Sequence, residues 1–342
     1  MTVFNVLWFF LIFVLILGYF VLDGFDLGAG VLSPFVAKDE REKAMVRAAV
    51  GPVWDGNEVW LLTAGGALFA AFPFAYATTF SGFYLAVMLV LFGLILRAVS
   101  VEYAGRDREW AGIWNALFFV GSLLPALLLG VAVGCIFEGI PMDMSGDYIG
   151  VPLLGLLSPF TLLCGLFGLC LMLMQGANWL AYKVPEKTDL YKKASGLRKP
   201  LAIVSIVLFA LLTVFVFGRI PDMAPELAII RYLVAVLVLV CLLMSISFAG
   251  KGSGFELKAF LFSSGALALV VVLLACSMFP NLVVASPDSI GPALTLMNAC
   301  ATDTSLFYMT IIAAIGVPLV LFYHFLVYRT FKGKIREADL EY

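Results

Sequence analysis

Charge is scarce in this chain: 13% of its 342 residues are Asp, Glu, Lys or Arg, while 63% are hydrophobic. Soluble domains carry about 25% charged and 45–50% apolar residues. With a mean hydropathy of +1.06, the composition excludes a soluble enzyme, gives no hint of a nucleic-acid partner, and defines an all-α polytopic membrane protein. Histidine is nearly absent, with His324 the only one, so bis-histidine haem and copper–histidine ligation are excluded within the chain. One His, Met or Cys suffices in principle for a haem iron, but an isolated histidine near a membrane boundary reads as interfacial. The six cysteines include no C-x-x-C pair, which argues against zinc, iron–sulfur and thioredoxin-type sites and leaves them as small hydrophobes. The first apolar run has no positive n-region and continues through Asp23 and Asp26, unlike a cleavable signal peptide.

What is abundant is apolar sequence in long runs. Nine segments, approximately 4–32, 52–72, 78–100, 112–137, 152–180, 200–218, 228–249, 258–279 and 304–328, are each long enough for a hydrocarbon core of about 30 Å. The chain thus reads as one integral membrane domain over 1–342, with no soluble domain appended. Arg47 and Lys199 lie just outside the second and sixth segments, where they can snorkel to headgroups. Of the 21 Lys and Arg, all but Arg219 and Arg231 fall in alternate connections or the C-terminal tail, and the connections 73–77, 138–151 and 280–303 have none. The positive-inside rule therefore predicts an outside N-terminus and a cytoplasmic C-terminus, as an odd number of spans requires. A faint internal echo hints at a parallel repeat, with two four-helix bundles as its form. Phe72-Pro73 with Ser81-Gly82-Phe83-Tyr84 resembles Phe279-Pro280 with Ser305-Leu306-Phe307-Tyr308, and Asp23-Gly24-Phe25-Asp26 is placed like Gln175-Gly176-Ala177-Asn178.

The scarce charges that lie within apolar runs matter most. An Asp at the centre of a membrane helix costs roughly 2.5–3.5 kcal/mol on translocon scales, so it persists for a reason. Asp23 and Asp26 are three residues apart in the first segment, Asp55 and Glu58 three apart in the second, so each pair projects from one side of its helix. The two helices are expected to be antiparallel neighbours, with Asp55 about one turn inside the cytoplasmic end and the acids forming a ladder inward. Arg97, at the cytoplasmic end of the third segment, is the natural counter-ion, with Glu102 and Glu109 following it at the surface. One reading is a structural lock between helices; the other is a proton route. Four acids at one depth, with Asn57 and Thr63 beside them, favour the route. Gly24, Gly28, Gly30, Gly65 and Gly66 are expected at close helix contacts, and Trp54 at the interface.

The stretches L-D-G-F-D-L-G-A-G at 22–30, G-P-V-W-D-G-N-E-V-W-L-L-T-A-G-G-A-L-F-A-A-F-P at 51–73 and F-S-G-F-Y at 80–84, with Arg97, Glu102-Tyr103 and Gln175-Gly176-Ala177, resemble subunit II of the cytochrome bd quinol oxidases from the first helix to the last. The resemblance implies a heterodimer of two subunits of like fold, each of two four-helix bundles plus a peripheral helix. Subunit I would hold haems b, haem d and the quinol-oxidising loop; subunit II would carry no obligatory redox centre. By the same resemblance Asp55 faces subunit I and delivers cytoplasmic protons, Asp26 and Arg97 bear on haem retention and integrity of the complex, Trp60 lies on a hydrophobic oxygen path and Trp54 lies near a structural quinone. Glu58 stands where some relatives carry Gln, and Glu102 where some carry Asp. The connection between the sixth and seventh helices lacks a long insertion, which bears on how a quinone packs there.

The expectation is therefore a multi-pass protein of the bacterial cytoplasmic (inner) membrane, a subunit of an electrogenic, non-pumping quinol:oxygen oxidoreductase. Its partners would be subunit I, quinone, lipid and, in some complexes, a small single-helix accessory subunit. Proton pathway or subunit interface is expected at Asp55, Glu58, Asp23, Asp26, Arg97 and Glu102, and oxygen path or quinone contact at Trp60 and Trp54. No catalytic residue and no metal site is expected on the chain itself. The rival is a membrane transporter or proton channel using the same acids.

Overall fold

A helix start leaves four backbone N–H groups without intrahelical acceptors, and here side chains at the polar ends of apolar runs supply several. In the computed structural model, which describes residues 2–107, 109–220 and 224–341, Thr2 caps α1 (Val3–Leu22) through a reciprocal pair with Asn5. A one-residue break at Asp23 leads into α2 (Gly24–Val36), and Asp39 caps α3 (Glu40–Val50). Next come α4 (Trp54–Ala71), α5 (Pro73–Gly82), α6 (Tyr84–Tyr103) and α7 (Ala111–Glu138). Ser158 and Thr161 form a second reciprocal pair at the start of α8 (Pro159–Lys183), and Thr188 caps α9 (Asp189–Arg219). The rest comprises α10 (Ala228–Ala249), α11 (Glu256–Met278), the short strands β1 (Asn281–Val283) and β2 (Leu294–Thr295), and α12 (Asp303–Thr330), capped by Thr302.

Eight helices among the described residues, counting Val3–Val36 as one, are long and apolar enough to cross a membrane. The expected span 52–72 is α4, which is not among them: Asp55, Asn57 and Glu58 crowd its first turns and dilute its apolar character. A count of nine does not follow from length and apolarity alone. Other expectations shift at their edges. The first segment is broken at Asp23, and the third is α5 and α6 in series, with 73–77 forming the first turn of α5 and Pro73 at its first position, where a missing N–H costs nothing. The fifth begins at Pro159 and the sixth at Asp189, so Pro200 lies inside α9. Arg108, and residues 221–223 of the connection between the sixth and seventh segments, lie outside the described residues.

The helices group as the apolar pattern demands. α8, α9, α10 and α11 pack around one another; α1–α2, α4, α5–α6 and α7 form the other group; α2 against α8 and α7 against α8 join the two. α12 touches α1 and α4 from outside and is otherwise largely exposed, with Leu306 and His324 its buried residues. The Asp23–Asp26 and Gln175–Asn178 segments of the sequence echo meet at the join. A Cβ on Gly28 would lie 1.9 Å from the Met172 carbonyl oxygen. The second echo does not correspond in structure: Phe72-Pro73 opens α5, whereas Phe279-Pro280 leads into β1.

The connections without Lys or Arg are built, not merely spacers. β1 pairs antiparallel with β2, Ile140 bridges Ala285, and Met142 bridges Tyr148. Ile140, Met142, Val283 and Leu296 are buried in this cap. At the opposite end the tail folds back: Lys183 Nζ donates to the Phe331 carbonyl (2.5 Å) and Lys334 Nζ to that of Ala181 (2.8 Å). Burial pulls the Lys334 ammonium below the usual lysine range, opposed by Glu256 and Glu186. Arg47 does not snorkel. It is buried in α3 and donates to Asn115 Oδ1 at 2.9 Å, while Lys199 is exposed on α9.

Candidate functional site

The break at Asp23 sets the geometry of the polar centre. Asp23 closes α1 and opens α2, with its side chain fully buried. Two amide side chains from other helices donate to carbonyls at this break: Gln175 Nε2 to Val21 (2.8 Å) and Asn57 Nδ2 to Leu22 (3.0 Å). Gln175 Nε2 also reaches Ser264 Oγ at 2.9 Å, and Asn57 Nδ2 reaches Asp26 Oδ2 at 2.7 Å. The two acids of the first pair therefore take different partners. Asp26 is held by Asn57, and Asp23 accepts from Arg97 Nη2 at 2.7 Å.

Arg97 is the centre of the network. It is 1% exposed and pairs with both Asp23 and Glu58, so two acids from different helices share one guanidinium. Breaking a buried ion pair by removing one partner typically costs about 3–5 kcal/mol. Not every polar atom is matched. Arg97 Nε and Nη1 and Asp26 Oδ1 are buried without hydrogen-bond partners, while the buried Tyr19 hydroxyl faces Asp23. Such atoms can serve as anchor points for internal water.

The acids of α4 divide by exposure. Glu58 is partly buried against Arg97, whereas Asp55, one turn earlier, is exposed. Asp55 begins an open stripe with Val59, Leu62, Gly66 and Phe69, spaced by three or four residues along one helix face. Nothing in the chain lies within 4 Å of a Cβ built on Gly66, and Gly65 meets only Phe80 at 3.7 Å. The expectation of close packing thus holds for Gly24, Gly28 and Gly30 but not, within this chain, for Gly65 and Gly66. Glu102, five residues beyond Arg97, is half-buried and is not one of its ion-pair partners.

The buried face of α4 meets the peripheral helix. Trp60 lies in a notch at Gly18, where a Cβ would come within 2.0 Å of its ring, and its indole N–H points to His324 Nε2 at 3.3 Å. His324 Nδ1 is 2.9 Å from the Val320 carbonyl, so the ring donates there and accepts from Trp60. His324 is buried at 8% exposure, not interfacial as its place near the end of the run suggested. One turn on, the Tyr328 hydroxyl donates to Asn57 Oδ1 at 3.2 Å, making a chain Tyr328–Asn57–Asp26 across three helices. Trp54 is half-buried in the cluster around α3 and the start of α4. Sequence reasoning missed Tyr19, Tyr328 and the Gln175–Ser264 pair. Tyr328 and Tyr19 carried a signal, standing four residues after His324 and four before Asp23, and so on the same helix face as each. Trp60→Phe should keep the ring in the notch but lose the donor, costing about 1 kcal/mol. A lowered thermal midpoint of the purified protein would show it, and an unchanged midpoint would mean that the Trp60–His324 bond does not hold α12 in place.

Among the described residues no group of three or more His, Cys, Asp or Glu has the arrangement of a metal site. The chemistry on offer is that of acids, one guanidinium, amides and phenols: charge balance and proton exchange. These features define an all-helical, polytopic membrane protein with a buried ionic network at a helix break and an acid on an open helix face. The chain belongs to the cytochrome bd terminal oxidase subunit II family, whose model matches residues 4–331. It is 32% identical to the cytochrome bd-I ubiquinol oxidase subunit 2 of Escherichia coli K12, covering 98% of this chain and 96% of that one. It is 34% identical to the cytochrome bd ubiquinol oxidase subunit 2 of Bacillus subtilis, covering 97% of each. A chain in the structure of the bd oxidase from Geobacillus thermodenitrificans shares the fold, with a TM-score of 0.74 and 16% identity over 96% of this chain and 99% of that one.

Proposed function

We propose that this chain is the non-haem subunit II of a bd-type quinol:oxygen oxidoreductase in the bacterial cytoplasmic membrane. It stabilises a haem-bearing subunit I and helps supply protons and oxygen. The observation that carries the reading is the placement of Asp55. It stands on an open stripe of α4, one turn from Glu58, which reaches Arg97 and through it the buried Asp23. In this reading α4 is a ninth span: its 18 residues measure about 27 Å, close to the hydrocarbon thickness of about 30 Å. Its polar turn is satisfied by Arg97 and by the contacts of Asn57. The Lys and Arg distribution supports an outside N-terminus and a cytoplasmic C-terminus.

Subunit I docks on the open stripe, so Asp55 lies at the seam between the subunits, near the cytoplasmic side. There it accepts protons and passes them toward the oxygen-reducing centre. Behind it, three carboxyls (Asp23, Asp26 and Glu58) are matched by one guanidinium, leaving places for protons, and the unpartnered Asp26 Oδ1 and Arg97 Nε and Nη1 offer water its hydrogen bonds. Trp60 and Trp54 line the approach for oxygen or quinone. Two quinols release four electrons and four protons on the outer side, and oxygen takes up the four electrons with four cytoplasmic protons to give two waters. The haems b and haem d that carry the electrons belong to subunit I; a single-helix accessory subunit is a further component of such complexes. A structural quinone has a place for its tail in the apolar cavity of about 530 Å³ between α7 and α8–α11, with Phe20 of α1 also on its wall and Phe160, Phe167, Phe209 and Leu267 in its lining.

Asp55→Asn in the assembled oxidase should lower turnover per haem by roughly 10²-fold, the lower end of the scale for one proton-transfer group, with haem content unchanged. Normal turnover and normal proton uptake at normal haem content would remove Asp55 from the route. The transporter reading is disfavoured by the family match, and it predicts a colourless protein that purifies without a haem-bearing partner.

A further inference from the structure

We propose that the cleft between the first turns of α9 and the turn joining α10 to α11 is a binding site for a phosphate group. The cleft is open, about 640 Å³, and its lining includes Lys192, Arg198, Lys199, Gly252 and Ser253, with Glu186 as the acid among them. Arg198 is the anchor. It is 2% exposed, and its guanidinium contacts are long: Nε to the Ser195 carbonyl at 3.5 Å and Nη2 to the Ala249 carbonyl at 3.4 Å. Nη1 is buried with no hydrogen-bond partner. Arg198 thus brings a buried guanidinium with an unmatched donor to the wall of a solvent-connected cleft, and its planar fork matches phosphate.

The surroundings fit the same ligand. Lys199 is exposed on the same helix, and its ammonium lies beside Gly250, where a Cβ would be 2.9 Å from Nζ. Lys192 is partly neutralised by Asp189 at 2.9 Å and Arg198 is partly offset by the buried Glu256, itself held by the Tyr191 hydroxyl at 2.7 Å, so among the described residues Lys199 is the cation of the cleft with no acid paired to it and Arg198 supplies the unmatched donor. The turn reads Lys251-Gly252-Ser253-Gly254, with Gly252 at φ +84° and Gly254 at φ +89°; its Gly254 N–H is taken by Glu256 Oε2 at 2.8 Å, and Gly252 and Ser253 are the residues of this turn that line the cleft. Lys251 and Lys258 stack on Phe248 and Phe255 next to it and add to the positive field. Along α9 the face carrying Lys192, Ser195 and Lys199 continues to Ile203 and Val207, both exposed, at helical spacing. A phospholipid whose phosphate sits on Arg198 would lay its chains on that stripe, whereas a free phosphate would use the cleft alone.

The test uses the purified, delipidated oxidase complex. Native mass spectrometry reads phospholipid retained after addition of a short-chain phosphatidylglycerol, and equilibrium dialysis reads inorganic phosphate. Retention should fall about tenfold in Arg198→Gln and in Lys199→Gln, the loss expected for one charge-assisted hydrogen bond to phosphate. Binding of inorganic phosphate with the same dependence, but no retained phospholipid, would support the site with a soluble ligand. Lys199 is exposed, so its variant keeps the test alive if Arg198→Gln fails to assemble. Binding of neither probe, or binding of both unaltered by Lys199→Gln, overturns the proposal.

Discussion

Arg97→Met is expected to prevent accumulation of the assembled complex in the membrane. The substitution keeps much of the volume but leaves Asp23, fully buried, and Glu58 without their shared cation. The cost is about 3–5 kcal/mol, a large part of the roughly 5–15 kcal/mol that holds a typical domain folded. The informative variant is the double change Arg97→Met with Asp23→Asn. It removes both charges of the most buried pair, while Glu58, at 19% side-chain exposure, can turn toward solvent or the partner. If the single variant fails because a charge is stranded, the double variant should recover complex yield, with a coupling of about 0.5–3 kcal/mol between the two sites. Equal yields for the single variant and the wild type would show that the ion pair is not structural. Failure of both variants alike would point to lost packing around Arg97. Turnover per haem in the recovered double variant then separates the structural role of Asp23 from any part in proton supply.

The sequence exposed the charges of this network more readily than their pairing, because an acid or arginine is conspicuous in an apolar run whatever its partner. Arg97 as counter-ion was legible for that reason. Which acids it meets depends on the rotation of α4 and on the break at Asp23, and an apolar run that continues on both sides of Asp23 hides such a break. Glu58 is the clearest gain. From the sequence it is one of four acids on a candidate proton route; in the structure it is the second ion-pair partner of Arg97, which leaves Asp55 as the acid of α4 on the open face. His324 was misread because position along a run says nothing about which face a side chain takes. The cap formed by 139–150 and 280–302 was read as plain connection, since its strands are two or three residues long and carry no periodic signal. Gly65 and Gly66 looked like their counterparts in α2, yet the α2 glycines are in tight contact with other helices of this chain, whereas Gly65 has only ordinary contact with Phe80 and Gly66 has none. Sequence alone cannot distinguish a small-residue face used within a subunit from one used between subunits.

That distinction yields the second large effect, because Gly176 and Gly66 should fail in different ways. At Gly176 an added Cβ would stand 2.5 Å from Ala29 N and from the Gly28 carbonyl carbon, where nonbonded carbons prefer about 3.5–4.0 Å. The obstacle is backbone, so no rotamer change relieves it, and α2 must move away from α8 by an ångström or so. That movement would pull Gln175 from the Val21 carbonyl and separate Phe25 from Trp179, whose rings lie 4.4 Å apart. Gly176→Ala is expected to cost at least the roughly 1–3 kcal/mol of overpacking a close contact, seen as low yield and a lowered thermal midpoint. Gly24→Ala should be milder, because its nearest obstacle at 2.9 Å is the Gln175 side-chain oxygen. Gly66→Leu meets nothing in this chain, and by helix propensity alone it should stabilise α4 by up to about 1 kcal/mol. If subunit I packs on the Asp55–Phe69 stripe, that variant will instead leave this chain in the membrane but unable to retain its haem-bearing partner on purification. Co-purification at the wild-type level would move the subunit interface off α4, and with it the reason for placing Asp55 at a seam.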